Sequence, residues 1–249
     1  MLPVLGLIFV ILCLTIGGQR TAKSLIGIFL NTVIILLLIF SIYIGLPPLL
    51  SCFSVCILIC LVTLFYQNGK NPKTVSAIFS VIIITVLIAI PAYCFVKFSA
   101  IQGFPVAQFD IQEANGYIKN IAVNMTKVQT AVILTVAVGA VIDTAICVSS
   151  SMYEIHMRTK TLSKSELFSA GMNVGKNILS STVNTLFFIY IAEYLTLFLQ
   201  FANDYSFSDM INSKEFCQET SSVLFAALAC IAVIPIASAI CAYSFTKRS

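Results

Sequence analysis

The chain has 249 residues, of which 59% are hydrophobic and only 10% charged, against roughly 25% charged in an ordinary soluble domain. Its 14 Lys and Arg and 10 Asp and Glu give a net charge of +4, and they leave uncharged intervals at 1–19, 24–69, 74–96 and 220–246, lengths suited to crossing a roughly 30 Å hydrocarbon core. This excludes a water-soluble enzyme, a coiled coil and a disordered tail; apolar blocks such as Val33–Ile39 also exclude the alternating strands of an outer-membrane barrel, which leaves an all-α, polytopic transmembrane bundle.

The first apolar segment covers residues 1–18. It has no basic residue ahead of it, and Arg20 and Lys23 follow it, so a retained helix entering from outside is expected in place of a cleaved signal peptide. The interval 24–69 would extend about 69 Å as one helix, too long for one crossing. Gly45, Pro47 and Pro48 form the breaker that turns the chain, giving spans near 24–45 and 49–66. A fourth span is expected at 74–96. Residues 97–127 mix apolar and polar side chains, the pattern of an interfacial or re-entrant piece. Spans five, six and seven are expected near 128–148, 177–199 and 220–245, joined by polar connections.

Basic residues orient the bundle. With the N-terminus outside, Arg20, Lys23, Lys70, Lys73, Arg158, Lys160, Lys164, Lys176, Lys247 and Arg248 face the cytoplasm, while Lys97, Lys119, Lys127 and Lys214 face out. That bias predicts about seven spans, N-out and C-in.

Most of the usual chemistry has no residues to carry it. Of the nine cysteines, eight fall in or beside apolar segments, where cysteine behaves as a small hydrophobe. With no CxxC pair and one histidine, His156, there is no ligand set for a dedicated zinc, haem or iron–sulfur site. No GxSxG, HExxH or complete phosphate-loop motif occurs. His156 reads as a surface or interfacial residue, and Asn68, Gly69 and Pro72 as a turn. The chain is not expected to be an enzyme, to hold a cofactor or to bind nucleic acid.

The informative exception is Asp143, inside the fifth span. An aspartate at a helix centre costs roughly 3 kcal/mol on insertion scales, so something must compensate it. Helical spacing aligns Gly139, Asp143, Cys147, Ser150 and Glu154. In span six, Asn177, Ser181 and Asn184 also share a face, and the two polar stripes are expected to meet inside the bundle. Two roles fit. Asp143 hydrogen-bonds Asn184 or a serine and fixes helix register, or it belongs to a substrate, ion or proton path. Glu193, near the outer part of span six, fits the same two roles.

These residues also carry a resemblance. Gly139-Ala140-Val141-Ile142-Asp143, the serines Ser149–Ser151 before Tyr153-Glu154, the run from Glu166 to Gly175, and Asn184-Thr185-Leu186 ahead of Tyr190 resemble the YibE/F-like family of bacterial multipass membrane proteins. The resemblance implies a bacterial cell-membrane location and a permease-like role. The sequence departs from the family pattern at Lys176-Asn177, where an arginine–aspartate pair is usual, and at Ser180-Ser181-Thr182-Val183. A mechanism centred on Asp143 and Asn184 survives both departures.

The expected function is a secondary permease or a membrane subunit of an export system, with a polar site between spans five and six. The alternative is a noncatalytic scaffold or sensor, in which Asp143 and Asn184 fix packing and the outer loops bind a partner. The expected partners are the lipid bilayer and either another membrane protein or further copies of the chain.

Overall fold

The computed structural model describes residues 1–103, 123–204 and 206–247, and every regular element among them is helical. Helix α1 is Leu2–Tyr43. It is followed by α2, Pro48–Cys60, which continues through π-helical turns at Leu61–Tyr66. Then come α3, Pro72–Ser99, α4, Met125–Arg158, and α5, Lys164–Asp204. A short α6, Phe207–Ile211, precedes α7, Lys214–Thr246.

The turns follow from local chemistry. Gly45 takes φ +91 before Pro48 opens α2 at a helical position that needs no N–H. Gly69 takes φ +75, and Asn71 and Thr74 close a reciprocal cap at the start of α3. At the start of α5, the Ser163 N–H and hydroxyl each donate to the Glu166 carboxylate at 2.8 Å, while the Glu166 N–H donates back to Ser163 Oγ at 3.3 Å. That cap starts α5 at Lys164, and α4 runs on to Arg158. Most of the expected polar connection between spans five and six is therefore helical. Polarity marks where the bilayer ends, not where the helix does.

Among the described residues, six helices are long and apolar enough to cross a membrane: Thr21–Tyr43, Pro48–Tyr66, Pro72–Ser99, Met125–Arg158, Lys164–Thr196 and Lys214–Thr246. The segment Pro3–Gln19 is a shorter apolar helix, separated from Thr21–Tyr43 by the non-helical backbone of Gly18 (φ 56, ψ −142). The expected interfacial or re-entrant segment, 97–127, lies largely outside the described residues. Its described ends are the last turn of α3, a left-handed Ala100 (φ 52) and the first turn of α4.

Helices α4 and α7 form the centre, with α3 packed across both, α2 against α4, and α1 outermost on α2. The shared core is rich in small residues, among them Ala137 and Ala145 of α4 and Ala226, Ala229 and Cys230 of α7, which let backbones approach closely in a membrane bundle. Helix α5 reaches α7 through two glycines. A Cβ on Gly175 would collide with Ile234, and one on Gly171 with Met152 and, at 2.6 Å, with Ser238 Oγ.

Candidate functional site

Hydroxyls in the spans are largely satisfied within their own helices. Ser80, Thr85, Thr130, Thr135 and Thr144 each donate to the carbonyl four residues back, at 2.7–3.0 Å, the usual solution for serine and threonine in a helix. Asp143 has no such option. An ionised carboxylate only accepts, and the backbone N–H groups around it are committed to the helix. Among the described residues Asp143 makes no hydrogen bond or ion pair.

Gly139, Asp143, Cys147 and Glu154 are exposed and Ser150 half-buried, while Val141, Ile142, Thr144, Ala145, Val148 and Ser149 face the core. The predicted stripe on α4 therefore exists as one outward strip. It continues towards the other end of α4 through exposed Val132 and Val136. There it borders an apolar crevice of about 360 Å³, walled on the far side by Ile35, Leu38, Ile39 and Ile42 of α1. A Cβ at Gly139 would meet nothing within 4 Å, so the strip is open beside the carboxylate.

On α5, Asn173, Lys176, Asn177, Ser180, Ser181 and Asn184 are all exposed, and Gly171 and Gly175 lie on the opposite, bundle-facing side. The side chains of Asn177 and Asn184 have no hydrogen-bond partner among the described residues. The two stripes do not meet inside the bundle. The glycines of α5 turn their own face towards α7, which sends the amide face outward. No hydrogen bond joins Asp143 to Asn184. Glu193 is also exposed.

The end of the bundle at the exit of α3 and the start of α7 holds a network that composition alone did not flag. The Gln218 side-chain amide donates to the carbonyls of Ile101 at 2.5 Å and Gly103 at 2.8 Å, which ties the exit of α3 to α7. Tyr190 and Thr220 hydroxyls bond at 2.6 Å, Glu219 lies beside Tyr194, and Tyr190, Tyr194, Phe198 and Phe216 form a run of ring contacts. Glu219, expected in a connecting loop, thus sits in the first turns of α7. The rings fill one another's space and leave no open cage.

At the opposite end, Lys164 and Lys247 both lie over the ring of Tyr243, 5.1 and 5.7 Å from its centroid. His156 stacks on Phe245 at 6.1 Å. Its Nδ1 is buried without a partner. Among the described residues no group of three or more His, Cys, Asp or Glu is arranged to hold a metal ion. A third polar contact lies near α1, where Asn31 Nδ2 donates to Thr63 Oγ1 at 3.0 Å. Gln67 also packs against Gly27 so closely that a side chain there would collide.

No curated protein and no solved structure matches the chain. Its architecture is that of a multipass membrane protein, and the sequence profile of the YibE/F-like proteins matches residues 5–247. That match takes in every span described above: the chain belongs to the YibE/F-like protein family.

Proposed function

We propose that the chain is a secondary permease or the membrane subunit of an export system, with a polar path along α4 and α5 centred on Asp143. One observation carries this reading: a carboxylate near the middle of a membrane-spanning helix, open to its surroundings and without a hydrogen-bond or ion-pair partner among the described residues. Left in hydrocarbon, it would cost roughly 3 kcal/mol. A water-filled path or a polar substrate offsets that cost, and intramembrane ionisable residues are found where such paths run. Gly139, Ser150, Glu154, Asn177, Ser181 and Asn184 line it in this reading, and Glu193 marks its outer mouth. The scaffold reading needs a packing bond from Asp143 to Asn184, and the described contacts give it no support.

The same reading includes seven crossings with the Pro3 end of α1 outside and Lys247 inside. Pro3–Gln19 is exposed on nearly every side and apolar all round, whereas an interfacial helix needs a polar face. Lys70, Arg158, Lys160, Lys164 and Lys247 gather at one end of the bundle, the arrangement expected of a cytoplasmic face. An impermeant thiol reagent should label Ser99→Cys from outside and leave Lys160→Cys unlabelled in sealed cells.

The decisive experiment for the path is a substrate screen in sealed proteoliposomes, followed by Asp143→Asn at equal protein abundance. Loss of flux is expected. Unchanged flux under an assay that detects the wild type would remove Asp143 from the path.

A further inference from the structure

We propose that the polar strip of α4 and the amide face of α5 bind the same two surfaces of a second copy, across a twofold axis normal to the membrane. This inference stands apart from transport and concerns what covers the strip.

Lipid is a poor cover for these residues. Asp143, Asn177 and Asn184 have no hydrogen-bond partner among the described residues, and all three are exposed. Lipid tails offer no donors, so a polar group that neither its own helix nor a neighbour satisfies is costly there. A transmembrane helix from another protein molecule supplies the missing groups, as polar side chains do between membrane helices.

A second copy fits because the face is complementary to itself. A twofold contact requires that residue i meet residue j while j meets i. An axis along the membrane normal also keeps every residue at its own depth. Counting from the shared α4–α5 turn at 1.5 Å per residue, Asp143 lies about 22 Å up α4, and Asn177, Ser180 and Ser181 lie about 20 to 26 Å up α5. Lys176 is less than one turn away, at about 18 Å. The acceptor on α4 and the donors on α5 therefore share one level. Rotation by 180° brings Asp143 of each copy to the amides, hydroxyls and ammonium of the other. The open space beside Gly139 and the small side chains of Cys147, Ser180 and Ser181 leave room for the close approach that such helix pairs use.

The test uses a cysteine already present. Cys147 is exposed on the strip and lies about 16 Å from the turn, close to the level of Asn177. In the full-length chain reconstituted into liposomes, Asn177→Cys should give a disulfide-linked dimer under mild oxidation, and that band should vanish when Cys147→Ser is added. Wild-type protein, counted by single-molecule photobleaching in liposomes at low density, should show two-step traces, with Asp143→Leu lowering the dimer association constant by about threefold or more. Single-step wild-type traces would overturn the proposal and assign the face to a different protein or to water. So would a cross-linked band that persists without Cys147. A dimer whose flux ignores Asp143→Asn leaves this interface standing and removes the path. Flux that depends on Asp143 in a monomer does the reverse.

Discussion

Helices α1 and α5 both sit at the edge of the bundle, and both are almost unburied: 11% of the most apolar window of Thr21–Tyr43 is covered by protein, and 6% of that of Lys164–Thr196. Their exposed faces nevertheless differ in chemistry along the first half of α5. On α1 the outward residues are Ile28, Phe29, Val33, Leu36 and Leu37, a surface that hydrocarbon solvates well. On α5 the half nearer Lys164 presents Asn173, Lys176, Asn177, Ser180, Ser181 and Asn184, while the far half presents Phe188, Ile189, Ile191, Leu195 and Leu199, and Lys164–Thr196 is the least hydropathic of the six candidate spans. Exposure on the bundle surface thus means two different things. One face suits lipid, and the polar half of the other suits surroundings that hydrogen-bond.

The sharpest way to break this contrast is to exchange the two chemistries. Leu36→Asp puts a carboxylate on the lipid side of α1 and should cost roughly 3 kcal/mol of membrane insertion, read as a loss of inserted protein in a translocon-insertion assay. An insertion level equal to wild type would mean that α1 is covered too. Next comes the attachment of α5. Gly175→Leu drives a side chain into Ile234, and overpacking of this kind costs typically 1–3 kcal/mol, measurable as a lower melting temperature in detergent, with Gly139→Leu as the matched change in open space. A smaller effect is expected from Tyr190→Phe, which removes the 2.6 Å bond to Thr220. Polar bonds between membrane helices average about 0.6 kcal/mol, so its melting shift should be the least of the destabilising set. The smallest stability change belongs to Asn184→Leu. On a lipid face that replacement should stabilise the protein; on a polar interface or path it should leave the melting temperature within error and reduce dimer formation or flux.

Much of this contrast is absent from the sequence for a definable reason. Charge-free intervals report bilayer thickness, so they pointed to the apolar stretches, and Pro47-Pro48 and Pro72, read there as turns, also open α2 and α3 because proline tolerates the first helical turn. They say nothing of how far a helix projects into water, and both α4 and α5 outrun their apolar lengths. The spacing of Gly139, Asp143 and Cys147 correctly aligned them on one strip. Which way a strip points depends on its neighbours, and Gly171 and Gly175 decided that for α5. Likewise, nothing in the order of residues pairs Asn31 with Thr63 or Gln218 with the carbonyls beyond α3, because such bonds join positions that only the assembled bundle brings together.

The π-helical turns of α2 carry a consequence for length as well as packing. A π-turn holds one residue more than an α-turn, and each residue rotates the remainder of the helix by about 100°. Leu61–Tyr66 therefore acts as a phase shifter. It lets Cys52, Cys56 and Cys60 keep their buried side towards the core while Thr63 and Gln67, only a turn or two later, are aimed at Asn31 and Gly27 of α1. Deleting one residue there would leave composition and span length almost untouched, yet it would swing Gln67 off the glycine that accommodates it and unlatch α1 from the helix it packs on.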